Sequence, residues 1–65
     1  MKIEIGNRYV VVRDSIHFYK LGTKVVVKDI RQEEDEVHGW VTLVDCVSDG
    51  GLPQSVFPED LEVLS

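Results

Sequence analysis

The amino-acid sequence predicts a small all-β domain, and three features of the chain support this. Its apolar residues come in short β-branched runs and lack helical spacing. Gly, Asp, Asn and Ser, which are typical of turns, separate these runs. The chain has 65 residues, which is too few for one core to divide into two. We therefore expect residues 1–65 to form a single domain with five antiparallel strands.

The first two strands open in the same way. We expect them at residues 9–13 and 24–30, following Gly6-Asn7 and Gly22-Thr23. In each opening a glycine, which can take a positive φ, precedes a polar and then a cationic residue. This pattern indicates that the same kind of turn precedes both strands. Between the two strands, residues 16–20 are too short for a helix and are expected to form a loop packed on the sheet.

A third strand is expected at residues 37–44, with Val41 and Leu43 on one face and Trp40, Thr42 and Val44 on the other. The acidic run before it predicts a solvated hairpin tip, because blocks of like charge repel and stay in water. This run is Glu33, Glu34, Asp35 and Glu36. The predicted core takes one face of each strand and consists of Val11, Val25, Val27, Val41, Leu43, Val56 and Leu61.

The last third of the chain contains two turns and two short strands. Asp49-Gly50-Gly51 is a strong turn signal, and Pro53 suits a strand start or a sheet edge because it cannot donate a backbone hydrogen bond. A fourth strand is expected at residues 55–57. Pro58 then favours a single 3₁₀ turn, and a closing strand follows at residues 61–64.

Residues 57–63 (FPEDLEV) resemble the Pro-initiated turn and closing strand of SH3 domains. With the glycine turns and five strands, nearly the whole chain resembles an SH3-like small barrel. The resemblance implies an all-β, five-stranded antiparallel SH3-like barrel with a short 3₁₀ turn before the last strand. Leu61 stands where peptide-binding SH3 domains have a groove Tyr, and residues 14–22 are few for their long hairpin. The small bacterial and bacteriophage versions are therefore the nearer comparison.

The residues that would support catalysis or metal binding are few. Cys46 is the only cysteine; it follows Asp45, so we expect a buried thiol with a raised pKa. His17 and His38 lack metal-ligand spacing and are expected at the surface. We therefore predict no enzyme activity, no catalytic residues, no metal, no cofactor and no small-molecule substrate.

Charge and hydropathy restrict the partners and the cellular compartment that we expect for the protein. Twelve acidic residues against seven basic ones give a net charge of −5, which disfavours nucleic-acid binding. No stretch approaches the roughly 20 apolar residues of a membrane helix, and no signal peptide is recognisable. We expect a small acidic protein of the cytoplasm that does not associate with a membrane.

The leading functional hypothesis is a non-enzymatic protein-interaction module, possibly a regulatory or accessory protein of a bacterium or phage. The chain has more valine than so small a core can use, so we expect a homodimer or another protein partner. The alternatives are a nucleic-acid-associated SH3-like module and an acidic mimic of nucleic acid that blocks a basic groove. The first would use a basic side formed by Arg8, Arg13, Lys20, Lys24, Lys28 and Arg31.

The expected contact site consists of aromatic residues and one proline, because aromatic side chains dominate interface hot spots. Tyr9, Trp40 and Pro58 also match groove positions of SH3 domains. The competing interpretation is that most of these residues complete the core. The predicted partner-binding residues are Tyr9, Phe18, Tyr19, Trp40 and Pro58.

Overall fold

The computed structural model describes residues 3–14 and 17–64. They form a single antiparallel sheet with the strand order β4-β3-β2-β1-β5. The two edge strands, β4 and β5, are not paired with each other among the described residues, so the sheet is not closed. The all-β prediction of five antiparallel strands with a 3₁₀ turn before the last is confirmed. The elements are β1 (Arg8–Val11), β2 (Lys24–Asp35), β3 (Gly39–Ser48), β4 (Pro53–Val56), the 3₁₀ turn (Pro58–Asp60) and β5 (Leu61–Val63).

The hairpin of β2 and β3 is longer than the sequence predicts. β2 continues through the acidic run, where Glu33 and Glu34 pair with uncharged residues of β3. The prediction that this run forms the hairpin tip is wrong for three of its four residues, because only Glu36 lies in the turn. The glutamates are tolerated in the strand because their side chains reach water and face no like charge across it.

The hairpin turn is fixed by an aspartate and a glycine. Oδ1 of Asp35 accepts the backbone N–H groups of Val37 at 2.7 Å and of His38 at 3.2 Å. Gly39 follows with φ at +75°, in the left-handed region that residues with a Cβ rarely adopt. A short turn that ends in such a glycine is a common way to close a hairpin. The acidic run therefore contributes one carboxylate to the turn.

The core lies between the inward faces of all five strands. Five of the seven predicted core residues are buried, but Val41 and Leu43 are only half-buried, so that part of the prediction is wrong. β3 instead turns Val44 and Cys46 inward. The core residues are Tyr9, Val11, Tyr19, Val25, Val27, Val44, Cys46, Val56 and Leu61.

The register between β2 and β3 explains this reversal. Val27 lies opposite Cys46, and Ile30 lies opposite Val44, with an irregularity of the ladder between Val27 and Asp29. Residues three apart on a regular strand would face opposite sides of the sheet, and the irregularity allows both Val27 and Ile30 to face the core. Direct cross-strand partners share a face, so Val44 and Cys46 must also point inward.

The loop before β2 packs onto the core through two ring side chains, His17 and Tyr19; Ile16, also expected in this loop, lies outside the described residues. His17 is buried, so its expected place at the surface is wrong. Its Nδ1 accepts the backbone N–H of Tyr19 at 3.1 Å. In the neutral ring Nε2 therefore carries the proton, which it donates to the carbonyl of Arg13 at 2.7 Å. The hydroxyl of Tyr19 lies 2.6 Å from the Leu52 carbonyl oxygen.

Candidate interaction groove

A groove of about 670 Å³ lies between the 3₁₀ turn and residues 39–43 of β3, which we call the outer half of this strand. Trp40 lies on β3 with 69% of its surface exposed, and the other apolar residues that line the groove are half-buried. Apolar residues from both walls and polar residues at the rim line the groove. They are Asp35, His38, Trp40, Val41, Thr42, Phe57, Pro58 and Glu59.

The first wall exists because β4 stops early. β4 pairs with β3 only from Val44 to Val47 and ends at Val56, after which Pro58 begins the 3₁₀ turn. Proline lacks a backbone N–H and cannot continue the ladder as an ordinary strand residue. The hairpin beyond Val44 therefore extends past its neighbour, and its inward face is left as one side of the groove.

The register between β2 and β3 shows which side chains of the hairpin beyond Val44 lie on the inward face. Thr42 pairs with Gln32, whose Nε2 donates to the Thr42 hydroxyl at 2.8 Å. Trp40 pairs with Glu34 two residues further out. Since side chains alternate along a strand, Trp40 lies on the same face as the core residue Val44. Trp40 thus continues the core face beyond the point where the core ends.

The second wall is held by the buried carboxylate of Asp60. Its Oδ2 accepts the backbone N–H of Phe57 at 3.1 Å, and the Asp60 N–H donates to the Phe57 carbonyl at 3.0 Å. Oδ2 also lies 3.7 Å from Nε2 of His17. These reciprocal contacts fix the start of the 3₁₀ turn. They therefore position Phe57 and Pro58 against the groove.

The rim of the groove is acidic. The backbone N–H groups of Val37 and then His38 hold the pKa of Asp35 below its usual value, so this carboxylate is ionised at neutral pH. Glu59 is exposed on the opposite wall, and Glu34 is exposed beside Trp40. Negative charge therefore flanks an apolar floor on both sides.

The structure does not bring the five predicted contact residues together. Trp40 and Pro58 share the groove. Tyr9 and Tyr19 are core residues, 2% and 4% exposed. Phe18 is 89% exposed outside the groove, with its backbone N–H donated to the Gln54 side chain. Two of the five thus complete the core because β1 and the loop before β2 turn them inward.

The predicted contact site lacked six of the eight residues that line the groove: Asp35, His38, Val41, Thr42, Phe57 and Glu59. One signal was available for Phe57, because it stands next to Pro58 at the end of a strand. Val41 was expected in the core, and Thr42 was expected on the face of Trp40 but was not counted among the contact residues.

The thiol of Cys46 is unreactive in the folded chain. Burial, and then the neighbouring Asp45 carboxylate, raise its thiol pKa to about 11, as the sequence predicts in direction. A thiol of this kind stays protonated near neutral pH and is a poor nucleophile. Within residues 3–14 and 17–64, no group of three His, Cys, Asp or Glu side chains is placed to hold a metal ion.

Two of the six basic residues expected to form a basic side are engaged with carboxylates. Arg31 contacts Asp45 through Nε at 2.8 Å and through a second nitrogen at 3.0 Å, and it also contacts Glu33. Arg8 lies 2.9 Å from Asp49. Their charge is therefore partly neutralised within the chain.

Comparison with known protein families, curated proteins and solved structures finds no match to this chain. The described part of the chain contains no helix long and apolar enough to cross a membrane.

Proposed function

We propose that this chain is a non-enzymatic protein-interaction module that binds its partner in the groove between Trp40 and the 3₁₀ turn. The exposed Trp40 side chain is the observation that carries the proposal. An indole buries a large area at low entropic cost, and Trp is enriched among residues that dominate binding energy. Here it lines one open groove together with Phe57 and Pro58. A partner that fills the groove would remove this apolar surface from water.

The strand order and the position of the 3₁₀ turn support an SH3-like interpretation of this fold. On that interpretation the chain is a small regulatory or accessory protein, comparable with bacterial and bacteriophage versions of the barrel. A cytoplasmic location suits its single cysteine, Cys46, which is free and buried. These finer assignments rest on the resemblance and on composition.

The nucleic-acid alternative has weaker support. Phosphate binding needs clustered Lys and Arg side chains that are free to contact the backbone. Arg8 and Arg31 already contact carboxylates, and the chain carries a net charge of −5. A protein partner is therefore the better proposal.

The test uses a displayed library of random twelve-residue peptides as the probe. We expect the parent protein to select peptides whose affinity falls about 30-fold or more in Trp40→Ala, since hot-spot truncation costs about 2 kcal/mol or more. Phe18→Ala is the matched control, because Phe18 is an exposed aromatic outside the groove. It should bind like the parent. Equal binding to Trp40→Ala and the parent would contradict the proposal.

A second measurement addresses the nucleic-acid alternative directly. A labelled single-stranded DNA and a duplex of about 20 base pairs are titrated with the protein at low salt, where phosphate contacts are strongest. We expect no binding in the micromolar range. Salt-dependent binding that survives Trp40→Ala would favour the nucleic-acid module over the interaction groove.

A further inference from the structure

The outer half of β3 has a strand neighbour on one side only. β2 pairs with it throughout, while β4 covers the other side only from Val44 to Val47. Among the described residues, none pairs with residues 39–43 on that side. A free strand edge presents backbone N–H and C=O groups, which are a template for pairing with another extended chain.

This edge lacks the features that usually prevent such pairing. Proteins protect edge strands with charged residues, proline or bulges. Residues 39–43 (GWVTL) include no charge and no proline. The opposite edge of the same hairpin, in β2, carries Arg31, Glu33, Glu34 and Asp35. One edge of the ribbon is therefore protected, and the edge beside the groove is open.

Charge selects the kind of chain that fits. Asp35 and Glu59 stand on either side of the groove, and Glu34 lies across the hairpin from Trp40. Of the residues that line the groove, only His38 can become positive. A second copy of this chain would bring five net negative charges towards these carboxylates. A segment rich in Lys or Arg would instead be attracted to them.

We propose that an extended, basic segment of a partner protein adds as a further strand to β3 at residues 39–43. Its backbone pairs with β3, every second side chain enters the groove over Trp40 and Phe57, and a Lys or Arg lies near Glu34 or Glu59. This inference rests on the proposed function and specifies the partner's conformation and charge. Strand addition takes its affinity from main-chain hydrogen bonds and its specificity from alternate side chains.

The first experiment tests the backbone pairing. A peptide that binds the parent but not Trp40→Ala is synthesised as a series in which one backbone nitrogen at a time is methylated. In a strand pair, only every second residue donates to a given neighbour. We expect methylation at alternate positions within a run of about five residues to weaken binding 10-fold or more, and the intervening positions to change it little.

A methylation series without this alternation would overturn strand addition. It would leave the proposed function standing, because dependence on Trp40 is established separately by the parent peptide. Failure of the proposed function is seen earlier, as an absence of any Trp40-dependent peptide. The two failures are therefore distinguishable.

The second experiment tests the charge of the partner. The double variant Glu34→Gln/Glu59→Gln should slow association of a Lys-containing or Arg-containing peptide about threefold to 10-fold at 50 mM salt, and less at 500 mM. Glu62→Gln is the control, because Glu62 is exposed on β5 and does not line the groove. An unchanged association rate in the double variant, or selected peptides without basic residues, would overturn the basic assignment.

The remaining outcome to test is that a second copy of this chain occupies the open edge of β3. Sedimentation equilibrium of the chain alone should give a monomer at 100 µM. A dimer that dissociates in Trp40→Ala would show that β3 pairs with its own counterpart, and it would overturn the partner proposed here.

Discussion

Glu34 and Trp40 are direct cross-strand partners near the end of the β2 and β3 hairpin. Their side chains share one face of the ribbon, and both are exposed. A carboxylate beside an exposed indole contributes little to the stability of a fold, because water solvates the charge and the ring buries little area. The same pair offers a ligand both apolar contact and charge. The end of the hairpin is thus suited to binding more than to stability.

Trp40→Ala should therefore change stability little. Because the residue is 69% exposed, we expect the free energy of unfolding to fall by less than about 1 kcal/mol. Urea denaturation followed by far-ultraviolet circular dichroism measures this. A loss of several kcal/mol would mean that the indole belongs to the core, and the binding test with this variant would then lose its meaning.

The inward face of β3 can be tested with two valines of that strand. Val44→Ala removes a fully buried side chain and should cost about 2–3 kcal/mol, because it leaves a cavity. Val41→Ala changes a half-buried side chain at the groove and should cost about 1 kcal/mol or less. Equilibrium denaturation of both variants gives the comparison. The reverse order would restore the face assignment that the sequence suggests and would contradict the register.

Gly39→Ala should destabilise the hairpin turn. An alanine at φ of +75° places its Cβ in the left-handed region, at a cost of about 1–2 kcal/mol. Gly50→Ala is the control, because that glycine has no positive φ and an added Cβ meets only an ordinary contact at 3.8 Å. Thermal denaturation should show a lower Tm for the first variant alone. Equal Tm values would indicate that the turn adjusts without strain.

Alkaline pH should destabilise the protein through Cys46. The pKa of the thiol is about 11 in the folded chain against an ordinary 9.0, so the unfolded chain releases this proton first. The contribution is fully present below pH 9 and is lost as the pH rises towards 11. Tyr19, whose pKa burial also raises, acts in the same direction from pH 10 upward.

The variant Cys46→Ala separates the contribution of Cys46 to this pH dependence from that of Tyr19. Denaturation between pH 8 and pH 10 should show a smaller decline of stability in this variant than in the parent. An identical decline in both proteins would mean that the thiol reaches solvent. A thiol reagent at pH 8 provides an independent check, since it should label the parent only after unfolding.

Local turn chemistry and strand composition were readable from the sequence. Gly6 and Gly22 both take a positive φ, at 89° and 90°, as their repeated context predicts. Val25 and Val27 are fully buried, and the 3₁₀ turn starts at Pro58 as expected. These features depend on residues that are close in sequence, and for that reason the pattern alone sufficed.

The faces of β3 could not be read in the same way. Val41 and Leu43 form one apolar series and Val44 and Cys46 form another, so alternation fits either face. The choice is made by pairing with β2 and by the irregularity after Val27, both of which are tertiary facts. The burial of loop residues and the existence of the groove follow from the same long-range contacts, and sequence patterns do not record them.

The irregularity of the ladder between Val27 and Asp29 also lies where the β2 and β3 hairpin changes from a packed part to an exposed part. On the inner side of it, substitutions are constrained by close packing, where even one methylene group matters. On the outer side, Ile30 and Val44 still pack on the core, but most side chains beyond this pair meet water, and exchanging them costs the fold little. On the proposed function, a chain built in this way can change its specificity by substitution at the distal end of the hairpin while the body of the domain stays the same. Residues 32–34 and 40–42, which leave out Arg31 and the turn residues Asp35 and Gly39, are accordingly the natural region to randomise in a library that seeks new binding partners on this scaffold.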